Sequence, residues 1–396
     1  MNDAPDIEIR FARPEDADGI VALVTDRIDS EDGPEARITL DDGAFGPDGW
    51  TVAVSGDRVV SVLGLFPART RIGSVTVPSA VIEFVATDRE FEGRGLVRRQ
   101  LDLAHQRSSE RGDLVQWMVG IPYFYRRFGY EYAVPTPDTI DFVTPPAGAA
   151  NDLSFREASI EDVDDIVTLQ DHMAASAMVV AEHDPLLWSW FVKSPVYRVV
   201  LAARDGATVG MMRIYDDDDT PLVFDVAAAD PATFRSLVAE ACRPGGEATV
   251  AVRPGLEDYL EEFANRSNDG YAYYVRIPDP AALLETIRPE LNHRLAESEI
   301  DVDDGELLLS FYSRSVRLKI TGGRIGEIRR GGTLQAPVSQ GGSGIPPDLV
   351  AHLFLGPLGA LELEKRHADI LLGTRRDLMD ALFPPQSVDV QSWVWP

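Results

Sequence analysis

The sequence predicts an α+β fold built from three units, and three observations lead to this prediction. The chain has 396 residues, which is too long for a single hydrophobic core and favours two or three domains. Strand patterns and amphipathic helix patterns alternate along the chain. The segment that starts at Arg10 recurs at Arg156, with Arg, Ala, Glu, Asp, Asp, Ile, Val and Leu at matching places. We therefore expect two copies of one α+β domain followed by a third unit.

The elements of the two copies correspond in order. Each copy begins with a strand and with a helix whose first turn is rich in acidic residues. Two strands joined by a tight turn follow in each copy. The next predicted strand is 83–88 in the first copy and 225–230 in the second. The repeat predicts a first domain at 1–146 and a second domain at 147–277.

The third unit, 278–396, follows a proline-interrupted junction at 276–280. It contains two strands that form a predicted hairpin and then a glycine-rich loop, which is a flexible connector by composition. Helical segments fill the remainder of this unit. The predicted hairpin strands are 306–312 and 315–320, the loop is 331–344, and the helical segments are 347–353, 357–364 and 374–383.

Composition excludes several classes of function. The net charge is −28, and Lys193, Lys319 and Lys365 are the lysines among 37 basic residues. We interpret this acidic, lysine-poor surface as halophilic adaptation, and the lack of a basic stripe argues against nucleic-acid binding. The sequence contains neither a transmembrane segment nor a signal peptide, so we expect a cytoplasmic protein without membrane contact. One cysteine, Cys242, and scattered histidines give no reason to expect a metal.

A strand, a glycine pair and a helix follow one another in the first copy. Residues 82–87 read as a buried strand, Gly93 and Gly95 lie in a short turn, and an amphipathic helix begins next. This order presents free backbone N–H groups past a strand end, and such groups bind phosphate without side-chain help. The second copy has Pro231 and no glycine there, and a Cβ-bearing chain obstructs a phosphate. We therefore predict that the second copy is degenerate and structural.

The aromatic run Phe124-Tyr-Arg-Arg-Phe-Gly-Tyr130 follows this helix. Together with the glycine turn it resembles the acetyl-coenzyme A site of the GNAT N-acetyltransferases. The third unit resembles, at segments 353–358 and 380–383, a sterol-carrier-protein-type (SCP2-like) domain. A domain of this type is the C-terminal domain of the Eis family (enhanced intracellular survival acetyltransferases). The order of GNAT domain, degenerate GNAT domain and carrier-type domain is that of Eis-like proteins, and it covers nearly all of the chain.

The resemblance implies a set of residues that bind acetyl-CoA as cosubstrate. Val85 and Thr87 would pair with the pantetheine arm as one strand pairs with another. Glu92 departs from the family pattern, because a carboxylate beside phosphates is repulsive unless it turns outward or binds a cation. Arg99 and two further arginines can supply positive charge. The residues expected around the pyrophosphate are Gly93, Arg94, Gly95, Leu96, Val97 and Arg98.

Acetyl transfer to an amine needs a base, a donor for the developing oxyanion and an acid for the departing thiolate. The resemblance implies Tyr125 as the acid and the N–H of Val85 as the oxyanion donor. It implies the C-terminal carboxylate, at Pro396 here, as the base, and the apolar tail is consistent with burial. Glu83 is the rival base, because burial in an apolar strand is expected to raise its pKa.

The residues indicate the acceptor of the acetyl group less directly than they indicate the cofactor. Asp26, Asp29 and Glu31 lie between the first two predicted helices, where GNAT proteins shape the acceptor site, and their charges suit a cationic amine. Halophilic surface charge is the stronger explanation of these acids. Eis relatives acetylate aminoglycosides, polyamines and lysine side chains, and they form hexamers, so we expect such a small-molecule or peptide amine and a homohexamer. The alternatives are an inactive protein that binds coenzyme A or an apolar ligand, and a transferase of a longer acyl group.

Overall fold

The computed structural model describes residues 7–41, 45–182, 184–216, 220–242, 246–260, 263, 266–268 and 270–390. None of the helices in these ranges is long and apolar enough to cross a membrane. The α-helices are α1 (Ala17–Arg27), α2 (Asp32–Asp41), α3 (Leu96–Arg111), α4 (Val163–Met173), α5 (Pro185–Lys193), α6 (Pro231–Ala241), α7 (Glu257–Leu260), α8 (Pro280–Thr286), α9 (Arg288–Glu297), α10 (Val350–Leu355), α11 (Gly359–Arg366) and α12 (Arg376–Leu382). The strands are β1 (Ile7–Phe11), β2 (Trp50–Ser55), β3 (Arg58–Ile72), β4 (Val75–Thr87), β5 (Val115–Met118), β6 (Glu131–Pro135), β7 (Thr139–Phe142), β8 (Ser154–Glu157), β9 (Val179–Ala181), β10 (Tyr197–Arg204), β11 (Ala207–Tyr215), β12 (Leu222–Ala228), β13 (Ala248–Ala251), β14 (Arg266–Ser267), β15 (Ala272–Arg276), β16 (Gly305–Ser310), β17 (Ser315–Thr321), β18 (Arg324–Gly331), β19 (Ser343–Gly344) and β20 (Val388–Asp389).

The first sheet has the strand order β1-β2-β3-β4-β5-β15-β6. Its neighbours are antiparallel except for β4 and β5, which run in parallel. The outer part of β3 also pairs with β9, and β9 pairs in parallel with β20. Helix α3 returns the chain from β4 to β5, as a parallel connection requires. The predicted phosphate turn therefore lies in the connection between the two parallel strands β4 and β5.

The second sheet has the order β14-β7-β13-β12-β11-β10-β8 and repeats the plan of the first. Sheet membership crosses the predicted domain boundaries at two strands. β7 precedes residue 146 but lies in the second sheet, and β15 precedes residue 277 but lies in the first sheet. Each copy thus receives a strand from the segment assigned to the other. This exchange is not visible in the repeat, because strand partners distant in sequence leave no local pattern.

The third sheet, β18-β17-β16-β19, lies in the third unit. The predicted hairpin at 306–312 and 315–320 is confirmed as β16 and β17, with small shifts at the strand ends. Leu309 and Leu353 of this unit share a hydrophobic core with Val77 and Val115 of the first sheet. One face of the first sheet is therefore covered by the third unit. Resemblance to a sterol-carrier-type domain remains an expectation.

Candidate active site

Strands β4 and β5 separate in the middle of the first sheet. They pair in parallel from Ser79 opposite Val115 to Ile82 opposite Met118. Beyond that point β5 ends, while β4 continues to Thr87 with a register shift against β3. Phe84 lies at this irregularity with φ of 54°, which is unusual for a residue other than glycine. The bulge re-aims β4 and opens the sheet on the side of β5.

A pocket of about 500 Å³ occupies the opening between the two strands. Apolar side chains and backbone form most of its wall, and a few polar side chains converge on it, as in a small-molecule site. The lining residues are Arg27, Ile28, Asp32, Ile82, Glu83, Phe84, Val85, Val119, Gly120, Ile121, Pro122, Tyr125 and Tyr271. Of the predicted residues, Val85, Glu83 and Tyr125 are therefore brought together.

The glycine turn lies between the end of β4 and the start of α3. Gly93 and Gly95 have φ of 74° and 73°, and a Cβ built on either would meet no other atom within 4 Å. Gly95 is the N-cap of α3, and no side chain caps this end of the helix. The first N–H groups of an α-helix have no partner within the helix, so those of Leu96, Val97 and Arg98 can bind an anion.

Two arginines of this turn rest on aromatic rings. The Arg94 guanidinium lies 4.7 Å from the centre of the Phe91 ring, and that of Arg98 lies 4.8 Å from the centre of the Phe128 ring. Both side chains are exposed. Stacking on a ring leaves a guanidinium free to donate hydrogen bonds from its edge. Positive charge is therefore present beside the turn.

Glu92 forms an ion pair with Arg27. Its Oε1 accepts a hydrogen bond of 2.9 Å from Arg27 Nη2, and Arg27 Nε donates at 3.0 Å to the carbonyl oxygen of Thr87. The departure from the family pattern is thus balanced by a cation within the same site. The same contact occupies one lone pair of the Thr87 carbonyl, and the Thr87 hydroxyl lies 2.7 Å from that of Ser61.

Tyr125 lies in a short 3-10 helix, Phe124–Phe128, and its side chain is buried. The ring makes edge contacts with Phe124 and Tyr274, with centroid distances of 5.0 and 5.6 Å. None of the residues that the structure describes hydrogen-bonds its hydroxyl. Burial raises the pKa of Tyr125, with a further contribution from Glu83, so the phenol keeps its proton at neutral pH.

The neighbouring tyrosines differ in this respect. The Tyr130 hydroxyl donates to Gln116 at 2.8 Å, and the Tyr274 hydroxyl donates to the carbonyl of Ile121 at 3.2 Å. The Tyr271 hydroxyl donates to the carbonyl of Gly120. Tyr274 and Tyr271 therefore hold the backbone of the pocket wall at Ile121 and Gly120. Among the described tyrosines that line the pocket, Tyr125 is the one whose hydroxyl is left available for a ligand.

Two carboxylates, Asp32 and Glu83, line the pocket, and Glu35 lies near them behind its wall. Glu83 is buried, and burial raises its pKa, with further contributions from Asp32 and Glu35. Burial raises the pKa of Asp32 to about 6. Burial also raises the pKa of Glu35 to about 8, although the Ser194 hydroxyl donates to it at 2.8 Å. The raised pKa predicted for Glu83 is therefore confirmed in direction.

The acids proposed from the sequence for acceptor binding lie elsewhere. Asp26, Asp29 and Glu31 are exposed, and none of them is part of the pocket wall. The Asp29 carboxylate accepts from the N–H of Glu31, and Glu31 Oε2 accepts from the Tyr215 hydroxyl at 3.0 Å. Their placement gives no support to a direct role in acceptor binding, because the chain turns inward only at the start of α2.

Asp32 and Glu35 belong to the same acidic segment but were not among the residues singled out from the sequence. Both lie in the first turn of α2, three residues apart, and therefore on one face of the helix. That spacing was available as a signal. Acids in the first turn of a helix also stabilise the helix dipole on a solvated surface. Because this explanation was sufficient, the pair was not recognised as a binding face.

The predicted base at Pro396 lies outside the described residues. Val390 is the last residue that the structure describes, and it lines a small cavity of about 30 Å³ together with Glu83 and Val119. Its carbonyl accepts a hydrogen bond of 3.3 Å from the Tyr273 hydroxyl. The chain therefore reaches the back of the pocket wall before its last six residues.

The corresponding place in the second copy is filled by the protein itself. Asp230 caps α6 by accepting from the N–H of Thr233 at 2.8 Å, so a carboxylate of the chain already occupies this helix start. The Tyr259 hydroxyl donates to the carbonyl of Ala228 at the end of β12. These contacts agree with the expectation that the second copy is structural.

Comparison with known proteins relates this geometry to a family. Residues 8–133 match the family model described as an acetyltransferase (GNAT) domain. An uncharacterized N-acetyltransferase of Streptomyces avermitilis is 30% identical over 145 residues, which cover 36% of this chain and 35% of that protein. The chain therefore spans about a third of the length of this relative.

Solved structures extend the likeness to the whole chain at the level of fold. A GCN5-related N-acetyltransferase from Anabaena variabilis has a TM-score of 0.73 at 14% identity, covering 97% of this chain and 99% of that one. Eis1 from Mycobacterium abscessus has a TM-score of 0.60 at 15% identity, with coverages of 97% and 99%. A probable N-acyltransferase from Enterococcus faecalis has a TM-score of 0.74 at 12% identity, with coverages of 99% and 100%. Residues 8–133 thus match an acetyltransferase (GNAT) domain, and the chain shares its overall fold with an Eis protein.

Proposed function

We propose that the protein is an acetyl-CoA-dependent N-acetyltransferase that transfers acetyl directly to a primary amine. The observation that carries this proposal is the pocket between β4 and β5, which is lined by Val85 and by Tyr125, whose hydroxyl is hydrogen-bonded by none of the described residues. The GNAT match over 8–133 supports the reaction class. The amine is of the polyamine, aminoglycoside or lysine side-chain type.

The residues of the first copy suit coenzyme A. The pantetheine arm would lie along β4 at Val85 and Thr87, and the pyrophosphate would lie on the turn from Gly93 to Gly95 and on the first N–H groups of α3. The open space at both glycines supports this assignment, because no other atom lies near their added Cβ. When bound, acetyl-CoA supplies the acetyl group as a thioester.

Tyr125 would hold the proton that the departing sulfur needs. Its raised pKa keeps the proton on the phenol oxygen at neutral pH. A free thiol has a pKa near 8.5, below that of a phenol, so the phenol would donate a hydrogen bond to the departing sulfur and pass on its proton only because it is positioned and shielded from water. The hydroxyl of Tyr125 makes no hydrogen bond to the described residues that would have to break first.

Two groups remain candidates for the base. Glu83 lines the pocket directly, and its pKa is raised toward neutral pH, which suits a general base. The terminal carboxylate at Pro396, implied by the Eis resemblance, follows Val390 by six residues, which reach at most about 20 Å. Appending one glycine after Pro396 separates them. Loss of turnover would favour the terminus, and retained turnover would favour Glu83.

The acceptor side supports a cationic substrate. Asp32 and Glu83 line the pocket, and Glu35 lies close enough to raise the pKa of Glu83. Each of the three carboxylates has a raised pKa because its charge is poorly solvated. An ammonium group placed beside these carboxylates would favour their charged forms and would in turn be attracted to them. This chemistry fits an amine better than an alcohol or a thiol acceptor.

Release of free thiol from acetyl-CoA tests the proposal. The assay is run in molar potassium chloride against a panel of polyamines, aminoglycosides and lysine peptides, with mass spectrometry of the products. Thiol release that requires an amine and yields its acetyl amide supports the proposal. Bound coenzyme A without release from any amine would point to another acyl donor, and absence of coenzyme A binding would contradict the proposal.

The Eis resemblance also leads us to propose a homohexamer. Light scattering in molar salt is expected to give about six times the chain mass of 43.5 kDa. A monomer under those conditions would contradict this part of the proposal.

A further inference from the structure

The second copy carries an ion cluster where the first copy carries its site. Asp225 corresponds to Glu83 in the repeat, and the strand pairing agrees, since Glu83 pairs with Gly64 and Asp225 pairs with Arg213. The Arg213 Nε donates to Asp225 at 2.6 Å, and both side chains are 2% exposed. A glycine in the first copy thus leaves Glu83 facing a pocket, whereas an arginine in the second copy neutralises Asp225.

A second arginine extends this cluster to the end of the described chain. Arg253 Nη1 donates to Asp225, and its Nε and Nη2 donate to the two oxygens of Asp389 at 2.7 and 2.8 Å. Arg253 and Asp389 are 6% and 3% exposed. Such a two-pronged contact fixes orientation as well as distance, because the guanidinium is planar and its donors are rigid.

Asp389 is also the point where the chain joins the first sheet. Val388 and Asp389 form β20, which pairs with β9 opposite Val179 and Val180. β9 in turn pairs with the outer part of β3, the partner of the strand that bears Glu83. The next residue, Val390, lines the small cavity that it shares with Glu83.

We propose that the Arg253–Asp389 ion pair is a positioning device, built at the place in the second copy that corresponds to the site, which holds the end of the described chain at Val390 against the site of the first copy. Asp389 acts through Val390 and the residues after it, so it is a positioning residue. The device sets the wall on the acceptor side of the pocket. The kinetic part of this inference rests on the proposed acetyl transfer.

Two matched variants test the device. Asp389→Asn removes the charge of one carboxylate that pairs with Arg253 but keeps the shape of the side chain. Asp225→Asn removes the charge of the other carboxylate that pairs with Arg253 in the same way. Both are expected to lower the unfolding midpoint. Asp389→Asn alone is expected to lower kcat/KM for the amine at least tenfold, with the dissociation constant of coenzyme A changed less than twofold. Equal kinetic losses in the two variants would overturn the proposal.

A double-mutant cycle separates positioning from stability. Asp389→Asn is combined with a chain that stops after Val390. If Asp389 acts through the following segment, the substitution is expected to change kcat/KM for the amine in the full chain and to have no further effect in the shortened chain. The same fold-change in both backgrounds would overturn the inference. Where Asp389→Asn does not fold, Tyr273→Phe replaces it, because that variant removes only the hydroxyl that holds the Val390 carbonyl.

A readout without acetyl transfer keeps this inference distinct from the proposed function. Carboxypeptidase digestion of the full chain is followed by intact mass. The residues after Val390 are expected to be removed at least tenfold faster in Asp389→Asn than in wild type or in Asp225→Asn. Equal rates in the three proteins would overturn the anchor, whether or not any amine is acetylated.

Discussion

Replacing Gly95 with alanine distinguishes a glycine needed for a ligand from a glycine needed only for the backbone. Gly95 and Gly112 stand at the two ends of α3, with φ of 73° and 84°. An added Cβ meets no other atom within 4 Å at either position. Alanine at positive φ costs about 1 to 2 kcal/mol, so both variants are expected to lower the stability of the protein by a similar amount.

Their effects on coenzyme A are expected to differ. A Cβ at Gly95 stands where the pyrophosphate would approach the N–H groups of Leu96 and Val97, whereas Gly112 ends the same helix on the far side. Loss of one hydrogen bond to a charged group costs about 1.5 to 3 kcal/mol, which corresponds to a ten- to hundredfold weaker Kd. Isothermal titration calorimetry with coenzyme A gives this ratio, and the unfolding midpoints verify the matched stability loss. Equal affinity in Gly95→Ala and Gly112→Ala would refute the assignment of the turn.

Three further substitutions test other parts of the site. Glu83→Gln is expected to lower kcat/KM by a hundredfold or more and to remove its rise with pH, as read from pH–rate profiles, if Glu83 is the base; an unchanged profile would leave that role to another group. Glu35 has a pKa raised from 4.5 to about 8, so the folded state binds the extra proton between those values, and stability is expected to fall with rising pH by up to about 1.4 kcal/mol per unit. Denaturation at several pH values is expected to give a shallower slope for Glu35→Gln, and an identical slope would contradict the burial argument. Asp230→Ala removes the cap of α6 and is expected to cost about 1 kcal/mol of stability without weakening coenzyme A binding; a weaker Kd would show that the second copy takes part in the site.

Local patterns in the sequence were sufficient for much of the first copy. The order of strand, Gly93, Gly95 and helix has a local physical cause, because positive φ and an uncapped helix start are properties of neighbouring residues. The repeat predicted that β12 and α6 follow the plan of β4 and α3, and the pairing of the two sheets bears this out. Tyr125 was singled out by resemblance, and its role as the acid stays a prediction; within the described part of the chain, no residue hydrogen-bonds its hydroxyl.

Long-range pairing could not be predicted in the same way. β7 and β15 change sheets, and no periodicity within a strand specifies its partner. Asp389 and Arg253 are separated by 136 residues, so only the fold shows that a buried ion pair joins them. Asp32 was overlooked for a related reason, since the burial of an acid depends on what packs against its helix.

The turnover of Tyr125→Phe tests the central claim most directly. The variant removes one hydroxyl that contacts no described polar group, so folding and coenzyme A binding are expected to match wild type. Tyr123→Phe is the control, because it removes the hydroxyl of an exposed tyrosine two residues earlier in the chain. We expect kcat for amine acetylation to fall about a hundredfold or more in Tyr125→Phe and to stay within twofold in Tyr123→Phe. Wild-type turnover in Tyr125→Phe would contradict the role of this phenol as the acid and the proposed use of the pocket.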